Sequence, residues 1–425
     1  MDEQQMYTIV AEELALRWNQ VKSTIELLDQ DNTVPFIARY RKEVTGSLDE
    51  DNIRAIWERM RYLRNLTERK QAVLKSIEEQ GKLTPELAEK INAATKLQEV
   101  EDLYLPYKPK RRTRATIAKE KGLQPLADLI LKQETMQGNP SELAEQFIDE
   151  EKGVASADEA LAGARDIVAE TISEDADIRK TIRELTREKG VLVSEARKPD
   201  DVAEYEIYKE FSEPLKSIPA YRILAINRGE RENYLRVQVE IDESVLVHHI
   251  DRAIVKNPKN IFIDELKTAM EDAYRRLIAP AIERELRNNL SERADEHAID
   301  IFARNLYALL MTPPMKNMNI LGIDLCFLTG CKVAAIDKTG KYLEGTTIYP
   351  HPPQRRWEDA KVAIGDLIEK YNIGVVAIGN GTASRETEQV VAELIRELHT
   401  KGYFVSVNEA GASVYSASPI AKKEF

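Results

Sequence analysis

NILGIDLCFLTGCKVAAID, residues 319–337, holds two short apolar runs separated by a turn, and the first run ends on Asp324. The length and apolar content of NILGID and CKVAAID predict two short strands. Working outward, YLEGTTIYP reads as a third strand after a turn at Thr339–Gly340, and a helix from Arg356 to Tyr371 follows. Strand GVVAIGN, helix SRETEQVVAELIRELHT, strand YFVSVNE and the start of a last helix complete the segment. The order β-β-β-α-β-α-β-α predicts an α/β fold of the ribonuclease H type.

Upstream of TPPMKN, residues 312–317, the pattern is different: helix follows helix. The two consecutive prolines there predict a domain boundary, with residues 1–316 on one side and 318–425 on the other. MYTIVAEELALRWNQVKSTIELLDQ carries apolar residues at three- and four-residue steps, as one amphipathic helix does. In NTVPFIARYRKEVTGSLDEDNIRAIWERMRYL, Pro35 suits a first helical turn and Gly46 an exit. Ser47 and Glu50 have the spacing of a capping box opening the next helix, so the pair reads as a helix-turn-helix. Thr84 is expected to cap a helix that has Pro85 at its first position. GVLVSEA (190–196) and NYLRVQVEI (233–241) are expected as short strands. From Ile261 to Met311 an apolar stripe through Ile282, Leu286, Leu290, Ala294, Ala298, Ile301 and Leu309 predicts one or two long spine helices, kinked or broken at Pro280.

The 425 residues allow about three domains. A hydrophobic content of 43% with 32% charged residues suits a water-soluble protein with many exposed helices. The apolar runs are too short to span a bilayer, and MDEQQMYTIV has no signal-peptide character. Two cysteines, Cys326 and Cys331, form no disulfide framework and imply a reducing, cytoplasmic setting. The net charge of −12 argues against a surface that coats nucleic acid throughout, yet local basic patches are compatible with it.

One such patch is LYLPYKPKRRTRATIAKEKG, with Lys108, Lys110, Arg111, Arg112 and Arg114 inside seven positions beside Tyr104 and Tyr107. Cations next to aromatic rings suit phosphate contact and base stacking. The plainer reading is a solvated loop whose arginines pair with nearby acids. The glycine turn GNGTASRE (379–386) offers helix-start amides, with Thr382 or Ser384 as cap, but no P-loop lysine. Cys326 and Cys331 lack the companions of a zinc site and read as buried thiols. His248, His249, His297, His351 and His399 form no nucleophilic triad by position.

The carboxylates bear on catalysis. Nucleases of this fold hold two metal ions about 3.5–4 Å apart on at least three converging acids. Asp324 and Glu409, at the ends of the first and last strands, supply two. From Ala410 onward the only further acid is Glu424. The bulky Leu325–Leu328 segment is also a poor approach for a metal and a phosphate. The acid set is therefore incomplete, which adds weight to Asp324 as the cap of a turn and leaves Asp324 and Glu409 as candidates for the remnant of a nuclease site.

TVPFIARYRKEVTGSLDE, LYLPYKPKRRTRATIAKEKGL, the run from Gly322 to Asp337, IGNGTASRETEQ and NEAGASVYSAS together resemble the Tex family of bacterial transcription accessory proteins. The resemblance runs along essentially the whole chain. It implies a multidomain protein: a mainly α N-terminal region with a helix-turn-helix, then an α/β RNase H-like (YqgF) domain that is incomplete at its C-terminus. It also implies that helix-hairpin-helix domains and an OB-type RNA-binding domain, carrying much of the RNA affinity, belong after this segment. Where the family pattern resembles D-P-G-F-R-T, this chain has Asp324, Leu325, Cys326, Phe327, Leu328 and Thr329. The implied function is non-catalytic, cytoplasmic binding of RNA, with DNA and the transcription machinery as further partners and no cofactor. The alternatives are a Mg- or Mn-dependent nuclease of Holliday-junction-resolvase type and a protein-binding scaffold.

Overall fold

The computed structural model describes residues 1–198, 203–325, 330–352, 354–381, 384–397, 403–418 and 420–421. The chain divides into two units, Met1–Ala294 and Asp295–Phe425.

The first unit opens with α1 (Glu3–Glu13) and α2 (Trp18–Leu28). One helix was expected across both, but Ala15 turns the chain in the left-handed region at φ +53°. Thr33 caps α3 (Val34–Tyr40), with Pro35 in its first turn, and α4 (Lys42–Thr45) ends at Gly46, φ +67°. The long helix α5 (Glu50–Glu79) is capped by Asp49, whose carboxylate accepts the Asn52 N–H at 2.8 Å. This corrects the expectation of Ser47 as cap; Ser47 belongs to the turn itself, at φ +64°. Val10, Val21, Ile25, Ile53 and Ile56 form the core of this first bundle.

Helices α6 (Pro85–Ala93) and α7 (Leu97–Tyr104) pack with the far half of α5 around Val73, Ile77 and Ile91. Thr84 caps α6 as expected, accepting the Leu87 N–H. A larger core follows. α8 (Arg114–Glu120), α9 (Gln124–Lys132) and α10 (Pro140–Glu145) pack on α11 (Ala157–Ser173), which buries Ala160, Ala164, Ile167 and Val168. After α12 (Ala176–Lys189) comes an antiparallel sheet of order β2-β1-β3, made of β1 (Val191–Ala196), β2 (Glu210–Pro214) and β3 (Leu235–Glu240), with α13 (Ala220–Arg231) between the last two. Two of these strands were expected. β2 was not, because EFSEP is an edge strand of charged residues and a terminal proline.

α14 (Glu243–Ile254) and α15 (Ile263–Asp272) lead to a π-helical stretch, Ala273–Ile278, and then to α16 (Ala279–Leu310). Pro280 was expected to kink or break this segment. The wider π turn just before it accommodates a residue that lacks an N–H and crowds the preceding turn. Ile282, Leu286, Leu290 and Ala294 are buried as the stripe predicted. Further along, the stripe is less covered: Ala298 and Leu309 are half-buried and Ile301 is 45% exposed.

The second unit holds a mixed sheet of order β6-β5-β4-β7-β8. Its strands are β4 (Asn319–Asp324), β5 (Cys331–Ile336), β6 (Tyr342–Ile348), β7 (Ile373–Gly379) and β8 (Tyr403–Val407). β5 is antiparallel to β4 and β6, whereas β7 is parallel to β4 and β8. Asp337 holds the β5–β6 turn, its carboxylate accepting the N–H groups of Thr339 at 2.8 Å and Lys341 at 3.0 Å. α17 (Trp357–Tyr371) and α18 (Ser384–Glu397) join one sheet face in a core with Leu321, Ile323, Val333, Val376 and Ile378. α19 (Ala410–Ala417) closes the order read from the sequence, an RNase H-like α/β arrangement.

Candidate functional site

Strand alternation decides what the other face of this sheet carries. With Leu321, Ile323, Val333 and Ile378 turned into the core, Gly322, Asp324, Lys332, Ala334, Ala377 and Gly379 fall on the opposite side. They line a cavity of about 500 Å3 with Glu409 and with Ala412, Ser413 and Ser416 of α19. The register brings the strand ends together: Asp324 lies opposite Lys332, Ile323 beside Ile378, and Gly379 beside Val407. Glu409 sits two residues beyond β8 at the start of α19.

Gly379 and Gly381 exist in this turn for reasons of space. Neither has a positive φ. A Cβ on either one would collide with the Glu409 carboxylate, which the two glycines cradle from opposite oxygens. The Asn380 N–H meanwhile donates to Val407 at 2.9 Å, extending the β7–β8 pairing into the turn. The expected helix-start phosphate site is thus built around a carboxylate of the chain itself. Thr382 lies outside the described residues.

Glu409 is half-buried, but its Oε2 is shut off from solvent and has no hydrogen-bond partner among the described residues. Burial raises its pKa above the ordinary carboxylate range, and the negative charge of Asp324 raises it further. A carboxyl whose folded pKa is raised contributes stability that is present at acid pH and lost as pH rises through that pKa. Glu409→Gln is therefore expected to raise the melting temperature at pH 7. The gain should shrink on acidification and be gone below about pH 4.3, the ordinary glutamate value. A difference that is constant across pH 4–8, or a loss at pH 7, would contradict this account.

Among the described residues the donor set does not fit a two-metal centre. The cavity holds two carboxylates, Asp324 and Glu409, together with the ammonium of Lys332, and where a third acid is needed α19 presents Ala412, Ser413 and Ser416. Among the described residues no group of three or more His, Cys, Asp or Glu converges on a metal position. Glu424 and the turn residues Cys326, Phe327, Leu328 and Thr329 lie outside the described residues, as does His399.

Lys108, Lys110, Arg111 and Arg112 occupy the coil between a 3-10 turn (Leu105–Tyr107) and α8, which begins at Arg114 and which Thr113 caps by accepting the Thr116 N–H at 3.0 Å. All five cations are exposed, but their surroundings differ. Lys110 pairs with Glu170 of α11 and with Glu174, which caps that helix, and Arg112 pairs with Glu120 at 2.7 Å. Arg114 exerts its charge on Asp166 and Asp272. Lys108 and Arg111 have no ion-pair partner among the described residues. Tyr104 does not serve as a stacking platform: its ring is buried, its hydroxyl meets Ser76 Oγ at 2.9 Å, and Arg69 stacks over it. Tyr107 is half-buried against the same core.

One contact had no signal in sequence spacing. Cys331 and His351, twenty residues apart, meet in the core with Sγ 3.0 Å from Nε2. Burial lowers the pKa of the His351 imidazole from its ordinary value.

Comparison with known proteins extends these observations along the chain. The family described as Tex-like protein N-terminal domain matches residues 4–78, Tex central region-like matches 135–302, and Tex protein YqgF-like domain matches 318–425. "Uncharacterized protein YdcI" of Bacillus subtilis is 49% identical over 419 residues, covering 98% of this chain and 58% of that protein. "Transcriptional accessory protein Tex" of Neisseria gonorrhoeae is 39% identical over 425 residues, 98% of this chain and 55% of that one. The human "S1 RNA-binding domain-containing protein 1" is 32% identical over 453 residues, 97% of this chain and 44% of that one. The chain thus spans about half the length of these relatives. With its N-terminal, central and YqgF-like regions all matched in order, it belongs to the Tex family.

Proposed function

We propose that this chain is the helical and RNase H-like portion of a transcription accessory factor that works in the cytoplasm and binds RNA by its phosphates without cleaving it. The observation that carries the reading is the state of the basic run. Lys108 and Arg111 stand exposed on a coil and pair with no acid among the described residues, so they remain free to contact phosphate. Family membership and the names of two relatives, one a transcriptional accessory protein and one carrying an S1 RNA-binding domain, point the same way. No helix among the described residues is long and apolar enough to cross a membrane. The tight turn at Gly46–Ser47 before α5 keeps a helix-turn-helix reading of residues 34–79 within the proposal.

The test is a fluorescence-anisotropy titration of labelled single-stranded RNA and DNA between 50 and 200 mM salt, conditions over which phosphate-driven binding weakens strongly. Binding is expected, with a salt slope that falls by about 0.7 for each phosphate contact removed in Lys108→Ala with Arg111→Ala. No binding at 50 mM salt, roughly the most favourable end of that range, would sink the proposal. The convergence of Asp324 and Glu409 is the one observation that favours a nuclease. Cleavage of branched or single-stranded substrates with Mg or Mn, abolished in Asp324→Asn, would establish that second reading instead.

A further inference from the structure

Helix α12 carries Arg179, Arg183 and Arg187 at four-residue steps, hence on one face. The first two end on acids. Arg179 Nε donates to Asp102 Oδ1 at 3.0 Å, and Arg183 joins Asp102 Oδ2 at 2.6 Å and Glu285 of α16. Continuing that ladder would place a carboxylate opposite Arg187. Instead α16 supplies Asn289 and a second cation, Arg293, and all three line one cavity of about 460 Å3.

Lys216, from the turn after β2, lines the same cavity and is paired with Glu188. Arg187 and Arg293 are exposed and have no carboxylate within ion-pair range among the described residues. Three cations and one acid leave the cavity with a surplus of two positive charges. Its floor is apolar, made by the buried side chains of Leu215, Leu286 and Leu290. Proximity to the C-terminus of α12 gives Arg187 a favourable helix-dipole term, but Arg293 lies inside α16 and has none. Two cations without acid partners lining one cavity favour an anion in it. An anion with an apolar body fits such a place, and a nucleotide unit is one.

We propose that the Arg187–Arg293 cavity is a phosphate-binding notch for single-stranded RNA, with the guanidinium groups on the backbone and the sugar or base against the leucine floor. This rests on the RNA-binding reading above and adds a second contact, independent of the basic run.

The experiment titrates labelled single-stranded RNA over the same salt series with the whole chain, with Arg187→Ala plus Arg293→Ala, and with both arginines changed to Lys. The Ala pair is expected to weaken binding most at low salt and to flatten the salt slope by about 0.7 per phosphate released. The Lys pair should keep the slope and lose affinity less, since charge is retained while the bidentate geometry is not. Arg293→Gln alone, which replaces a single exposed side chain, should also flatten the slope and provides a second, milder variant. If the parent binds RNA in a Lys108- and Arg111-dependent manner and all three Arg187/Arg293 variants match it, the notch is overturned while the proposed function stands. If the parent fails to bind RNA at 50 mM salt, where the phosphate term is roughly at its strongest, both fall. Binding of polyglutamate that depends on Arg187 and Arg293, with RNA binding unaffected, would overturn the notch in favour of an acidic protein partner.

Discussion

Replacing Asp102 with Ala is expected to lower the unfolding free energy of the Met1–Ala294 unit by about 3–5 kcal/mol. Asp102 and Arg179 are both buried, and Arg183 is largely so. The carboxylate of α7 takes one guanidinium on each oxygen, and Arg179 also donates to the Ser173 carbonyl at 3.3 Å. Removing it leaves two cations withdrawn from water, with Glu285 as the remaining acid on Arg183. The loss comes from stranded charge more than from a lost contact. Replacing all three residues together, Asp102→Leu, Arg179→Met and Arg183→Leu, should accordingly cost far less than Asp102→Ala alone. Urea unfolding followed by circular dichroism and tryptophan fluorescence separates these cases. A loss below about 1 kcal/mol for Asp102→Ala would place the group at the level of an exposed ion pair.

The second expected result concerns the turn after β7. Gly379→Ala should cost about 1–3 kcal/mol, the usual range for forcing an extra methyl into filled space. The methyl displaces the Glu409 carboxylate, so the effect depends on what stands at position 409. In a Glu409→Ala background the same substitution is expected to be close to neutral. The double-mutant cycle should return a coupling energy within about 0.5–3 kcal/mol. Additivity within about 0.5 kcal/mol would mean that the carboxylate does not occupy the cradle.

How much of this was legible beforehand varied with the range of the interaction. The C-terminal sheet was readable because local rules suffice: short apolar strands, and Asp337, Thr339 and Gly340 at a turn that needs them. Thr84 and Pro85 marked a helix start by the same local logic. Local rules failed where an ordinary residue took an uncommon conformation, as Ala15 did between α1 and α2. They also failed for β2, whose pairing with β1 rather than its own composition makes it a strand. At the site, Asp324 and Glu409 were found through the strand order, and the structure places them in one cavity. The division of the basic run was not readable. Lys110 meets its acids 60 and 64 residues away, a distance that no spacing rule spans. The same holds for Arg179 and Asp102, 77 residues apart.

The cradle at Gly379 and Gly381 also constrains the order in which substitutions can accumulate. A lineage that first lost the acid at 409 would be freer to acquire a methyl at 379 or 381, since the Glu409 carboxylate is what a Cβ there would strike among the described residues. Once either methyl was in place, restoring the acid would meet a filled space, and reversal would need two further changes in the right sequence. While both glycines remain, the acid at 409 can be lost and regained by one replacement, and a methyl at either position removes that freedom.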